Sequence, residues 1–262
     1  MPRFAANIST LYPEHALLDR VAAAARDGFA AVEVQSPYAV AAAALRDALR
    51  EARVELVLMN APQGDMDAGE RGLAAMPGRE SEFRRSIDQA ADFARAVAAR
   101  RVHVMAGKPP AGSDPAEAEA VFIRNLRYAC EVFAAHGIRA LIEPINTRDM
   151  PGYFLTTPEQ AAAIIPKVGA ANLAMQFDIY HAQIMVGDVS KRLERHLPLV
   201  GHVQIAGVPE RHEPDTGEIN YPALFRLLDR LGYTGWIGCE YRPARGTTAG
   251  GTSAGLGWLR RC

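Results

Sequence analysis

Eight short apolar runs recur along the chain, at 4–8, 31–34, 55–59, 101–105, 139–143, 173–178, 199–204 and 236–240. Between them lie longer stretches rich in Ala, Leu, Arg and Glu at helical spacing, at 14–26, 40–52, 79–98, 115–135, 158–168 and 221–231. Strand-sized runs alternating with helix-sized ones point to a parallel sheet, because parallel neighbours need a long crossover between them. Glycines mark three of the joints: Gly28 in RDGF, Gly137 in AHGI and Gly232 in RLGY. Each can end a helix in the left-handed conformation just before the next strand starts. Eight such units in about 240 residues fit an α/β fold, a single closed (β/α)8 TIM barrel, whose active face is formed where strands run into helices. An open doubly wound sheet is the rival. That fold usually carries a glycine-rich phosphate turn after its first strand, and NISTLYPEH has no glycine.

Length and charge narrow the partners. The 262 residues, 49% of them hydrophobic, suffice for one large core and a single domain over 1–262. With 29 Lys+Arg against 30 Asp+Glu, the net charge of -1 gives no cationic surface for nucleic acid or an anionic membrane. A ligand must therefore be recognised locally. Cys130, Cys239 and Cys262 are widely spaced, which supports neither a disulfide framework nor a thiolate metal site. A reducing cytoplasm is the expected location, since no window approaches the roughly 18 apolar residues of a membrane span or an export signal. Two segments, 60–80 and 206–220, are long and rich in glycine and charge, and read as ligand-covering loops. The stretch from 243 onward, RPARGTTAGGTSAGLGWLRRC, is low in complexity and expected to be partly flexible.

Aligned by their C-terminal ends, runs five to eight finish on Glu143, Asp178, Gln204 and Glu240, all oxygen donors. In a barrel these ends converge at one mouth, where three anionic groups would repel one another unless a cation sat among them. A set without thiolate or imidazole favours a hard divalent ion, Mg2+ first and Mn2+ second. A lone acid at a strand end is more often a helix cap or a solvated loop residue, but four in succession outweigh that reading. His181 follows Asp178 by three residues, and His202 shares a strand face with Gln204; either can reach the site. His202 fits a supporting layer equally well, and His103 reads as lumen-lining. Arg71, Lys108 and Arg211, the last beside His212, lie in segments opening on the same face and would hold an anionic substrate.

Those residues carry a resemblance. GERGLAAMPGRE, LIEPIN, FDIYH, EPDTGEINY and GCEY, in that order, resemble the hydroxypyruvate isomerase family of the xylose isomerase-like barrels over nearly the whole chain. The resemblance implies interconversion of hydroxypyruvate and tartronate semialdehyde, with 2-oxo-tetronates as the substrates of close relatives. It also implies that Glu143 and Glu240 exchange the proton, and that Glu143, Asp178, Gln204 and Glu240 hold the metal. Two departures matter: sugar epimerases of the superfamily carry His where this chain has Gln204, and the tail after Tyr241 is unlike the family's. Epimerisation of a related sugar and a non-catalytic sugar-acid binding module are the alternatives, and a homo-oligomer is compatible with either. Abasic-site endonucleases of the same superfamily need more imidazoles than the seven here and a basic surface.

Overall fold

The computed structural model describes residues 2–261, so Met1 and Cys262, one of the three cysteines considered above, lie outside it. Eight strands form where the apolar runs lie: β1 (Arg3–Asn7), β2 (Ala31–Val34), β3 (Glu55–Asn60), β4 (Arg101–His103), β5 (Arg139–Ile142), β6 (Leu173–Asp178), β7 (Val200–Ile205) and β8 (Trp236–Cys239). All pair in parallel and in chain order. β8 closes onto β1, with Arg3 opposite Trp236 and Ala6 opposite Cys239. The (β/α)8 barrel expected from the sequence is therefore the fold.

The crossovers are α1 (Leu17–Arg26), α2 (Ala42–Ala52), α3 (Glu80–Ala96), α4 (Pro115–Ala134), α5 (Pro158–Val168), α6 (Ile179–Met185), α7 (Val189–His196) and α8 (Tyr221–Arg230), with α9 (Gly251–Gly255) in the tail. No helix was expected between β6 and β7. Two occur there, and α6 spans only seven residues, too few turns for periodicity to declare itself. Asp114, Thr157 and Asn220 cap α4, α5 and α8 through their side chains, each followed by a proline in the first turn. Their fixed φ and absent N–H suit a position whose N–H has no helical partner.

Alternation along the strands divides the core in two. Outward residues pack against the helices in one large cluster that includes Phe83, Phe122, Leu126 and Phe133, each contributing about 1.5–3 kcal/mol by burial. The lumen is filled by apolar groups in two small clusters, Ala5, Ala31 and Val57 beside Trp236, and Leu58, Leu141 and Ala174. Above them the inward positions turn polar: Asn7, Glu33, His103, Gln176, His202 and Gln204 are all buried. Register slips between Val32 and Glu33 on β2 and between Met175 and Gln176 on β6, at the level where that polar layer begins.

Part of the tail packs on the barrel. From 251 it docks on the barrel: Trp258 is buried edge-to-face against Phe4, and the buried Thr252 hydroxyl accepts the Tyr12 N–H at 2.8 Å. Glycine and threonine dominate the composition there, but Leu256 and Trp258 supply the apolar surface that anchors the segment.

Candidate active site

At the C-terminal end of the barrel, Glu143, Asp149 and Glu240 line one cavity of about 560 Å3 together with His103, Gln176 and His181, while Asp178 and Gln204 are not among its lining residues. Glu143 directly follows β5 and Glu240 directly follows β8; both line this cavity and are nearly fully buried. Asp178 ends β6 and works twice. Its Oδ1 caps α6 by accepting the Tyr180 N–H at 2.8 Å, while its Oδ2 is buried without a partner. Glu143 Oε1 is likewise buried and unpartnered. Two such carboxylate oxygens at one point are costly unless a proton or a cation sits there.

Burial lifts the Glu143 carboxyl well above the usual range, and the charges of Glu240 and Asp178 lift it further. Asp178 is pushed up to about 7, again by burial first, with Arg211 opposing and Glu240 reinforcing. Burial raises Glu240 as well, with the Arg211 guanidinium opposing it. Both neighbouring imidazoles move the other way: burial drops His103 to about 3 and holds His181 well below its ordinary value, so each is neutral.

Glu143, Asp178 and His181 each offer one donor atom within 4.8 Å of the others. The His181 Nε2 lies 3.5 Å from Asp178 Oδ2 and 3.8 Å from Glu143 Oε1. The orphaned oxygens and the acid-rich donor set fit a divalent cation. Gln204 and Glu240, grouped with the metal by the sequence, are held in a second array. Gln204 Nε2 and Asn7 Nδ2 each donate to both Glu33 Oε2 and Glu240 Oε2, at 2.8–3.1 Å, and Gln176 Nε2 donates to Gln204 Oε1 at 2.6 Å. Gln204 Oε1 has a second lone pair beyond that contact.

Of the expected substrate groups, Arg211, His181 and Arg71 line the cavity, whereas Lys108 and His202 do not. Arg211 donates to Glu240 Oε1 and, at 3.3 Å, to Asp149 Oδ2, with its guanidinium 4.9 Å above the Tyr180 ring. Arg71 is turned back on its own loop, where it donates to Met66 O at 3.0 Å. His202 is fully buried one level down with its Nε2 on Glu33 Oε1, which is the supporting-layer reading of that residue. Lys108, in the segment after β4, is half-buried.

Glu33, Asn7 and Gln176 escaped the sequence reading. A signal was present for two of them: Glu33 interrupts the apolar AVEV of β2, and Gln176 precedes Asp178 by two, on the same strand face. Gly238 makes room for Glu33, since a Cβ there would overlap the carboxylate. Arg20 and Arg242 also line the cavity, from segments that carried no motif.

A closed parallel barrel with carboxylates gathered at its C-terminal mouth defines an α/β-barrel enzyme, and the chain belongs to the xylose isomerase-like TIM barrel family, whose sequence profile spans residues 21–262. It is 58% identical to the 2-oxo-tetronate isomerase of Cupriavidus necator, over 99% of this chain and 98% of that one. The hydroxypyruvate isomerase of Escherichia coli is 44% identical over 99% of this chain and 98% of its own. A crystal structure described as an AP endonuclease, family 2, from Brucella melitensis superposes with a TM-score of 0.96 at 46% identity, covering 100% and 99% of the two chains. At such identities over nearly the full length the enzyme class is shared: this chain is an isomerase.

Proposed function

We propose that the protein interconverts hydroxypyruvate and tartronate semialdehyde with the help of a divalent cation, moving one hydrogen between adjacent carbons through an enediolate. The observation that carries this reading is the pair Glu143 and Glu240, two acids lining one cavity in different electrostatic surroundings. In that chemistry a carbonyl and a hydroxyl exchange places while a proton leaves one carbon and another arrives at its neighbour. One carboxylate takes the proton and the other delivers it, which requires both to flank the substrate. Arg211, between Glu240 and Asp149, offers a positive charge to the substrate's carboxylate or to the oxygen on which charge develops.

Glu143, Asp178, Gln204 and Glu240 would hold the cation, which when bound supplies positive charge against the developing oxyanion. We assign His181 to the substrate rather than to the cation, and the surroundings of its other nitrogen support that reading. Its Nδ1 lies 3.3 Å from the Asn146 backbone N–H and 2.6 Å from Asn146 Nδ2, whose own Oδ1 is occupied by the Asp149 N–H. Two donors at Nδ1 make it an acceptor, so the neutral ring carries its proton on Nε2 and points an N–H into the site. His181 is then a donor to substrate oxygen. An oxygen-only ligand set favours Mg2+, with Mn2+ next.

A 2-oxo-tetronate is the second reading. The relative of that name has the higher identity of the two isomerases above, and the far wall of the cavity offers Ser9, Gln35, Asn60 and Gln63 to an additional hydroxyl-bearing carbon. The test is product formation from each acid by ion-stripped protein, with and without added Mg2+. Cation-dependent turnover of hydroxypyruvate supports the first reading, turnover of 2-oxo-tetronate alone the second, and turnover of neither removes both.

A further inference from the structure

On the isomerase reading, on which this inference rests, Arg211 must be held in place. Its guanidinium reaches Glu240, yet it comes from a loop, and its backbone is left-handed at φ 58°, a region that a side chain with a Cβ disfavours. Within the loop, Arg211 N–H donates to Gly207 O and Gly207 N–H to His212 O, both at 2.8 Å. That ring is tight, since a Cβ on Gly207 would meet Glu213 O at 2.7 Å. Outside support comes from the chain just past β8. Arg242 N–H donates to Arg211 O at 2.7 Å, His212 Nδ1 donates to Arg242 O at 2.8 Å, and Ala244 N–H donates to both Glu213 carboxylate oxygens, at 3.2 and 3.3 Å.

Glu213 is the buried member of this seam, 5% exposed, with its carboxylate in the space a Cβ on Gly255 would need. The segment it grips is itself anchored. Thr252 accepts the Tyr12 N–H, Ser253 donates to Asp27 Oδ2 at 2.7 Å, and Trp258 Nε1 donates to the Tyr241 hydroxyl at 3.4 Å. We propose that Glu213 is a positioning residue for Arg211: it clasps the loop to the Ala244 backbone and so sets the guanidinium against Glu240. The docked tail is the fixed end of that clasp. Its part in the reaction is to hold a loop cation still.

The test compares Glu213→Ala with Glu213→Gln, which keeps an acceptor oxygen, using full-length ion-loaded protein. Turnover is measured on hydroxypyruvate and 2-oxo-tetronate, and backbone hydrogen exchange by mass spectrometry. The Ala variant is expected to lose about 10-fold or more in kcat/KM, since small misplacements near a reacting centre are amplified. Faster exchange should be confined to 206–213 and 242–244, with the barrel strands unchanged. The Gln variant should recover to within about 3-fold of the parent, a difference measurement that general loosening would not reproduce. An Ala variant with parental kcat/KM, one with parental exchange, or one whose strands also exchange faster overturns the proposal. Parent protein that turns over neither acid sinks the isomerase reading instead, and the exchange pattern then decides the clasp alone.

Discussion

Asp178 shows how one residue satisfies both readings of an acid at a strand end: one oxygen caps α6 and the other is left bare in the site. Its neighbours are separated by function in the same way. Glu143 sits among acids and neutral imidazoles, while Glu240 is tied to Arg211, Asn7 and Gln204, so the two carboxyls differ in proton affinity although they share a cavity. Glu143→Gln and Glu240→Gln keep the shape but remove the transferable proton. Each is expected to lower kcat by about a thousandfold, in the range of a lost general acid or base, with circular dichroism and the melting temperature near parental. A rate within a few-fold of parental in either variant removes the proton role. His181→Ala separates donor from ligand: cation affinity, measured by titration calorimetry, should stay within about 3-fold, while kcat falls about a hundredfold. A collapse in affinity would place the imidazole on the metal.

At the scale of elements, the strands and their order were legible because the apolar runs recur with crossover-length segments between them, most of helical spacing and three of them ended by a glycine joint. The four donors at the ends of β5 to β8 were legible for the same reason, since alignment by strand ends is alignment by height in a barrel. Long-range partners were not. Nothing local to AVEV says that Glu33 will meet Asn7, His202 and Gln204, three residues from two other strands. Nor does spacing alone say whether Lys108 lines the cavity. In the tail, composition averages over Trp258, the residue that packs it on the barrel. Trp258→Ala leaves a hole against Phe4 and Tyr241 and should cost about 3 kcal/mol of stability, read as a lower urea midpoint with an unchanged slope. A loss below about 0.5 kcal/mol, the scale of ordinary surface changes, would show that the tail is not docked in solution.

Across the whole molecule, the barrel concentrates acids at one end, and in the proposed reading a bound cation relieves them. Among the described residues no helix is long and apolar enough to cross a membrane. Burial raises the Asp178 carboxyl from 3.8 to about 7, so the folded protein holds this proton more tightly than the unfolded chain does. Without the ion, that group makes the fold progressively less stable as pH rises from about 4 through 7. Cation binding must displace the proton, so its affinity rises over the same upper range. Thermal melts of ion-stripped protein at pH 5.5 and 8 should show a loss at the higher pH that Asp178→Asn reduces. Added Mg2+ should raise the midpoint more at pH 8 than at pH 5.5. Equal stabilisation by Mg2+ at both would contradict a site built on that carboxylate.

Two acids that pass a proton across a shared substrate leave a chemical record that a direct hydride shift does not. The most direct measurement is the reaction of ion-loaded protein with its substrate acid in heavy water, carried to equilibrium and read by mass spectrometry and proton NMR. Deuterium at the carbon that receives the hydrogen, accumulating with repeated turnover, is the expected result. Product that keeps only its original hydrogen after many turnovers would contradict proton transfer by Glu143 and Glu240.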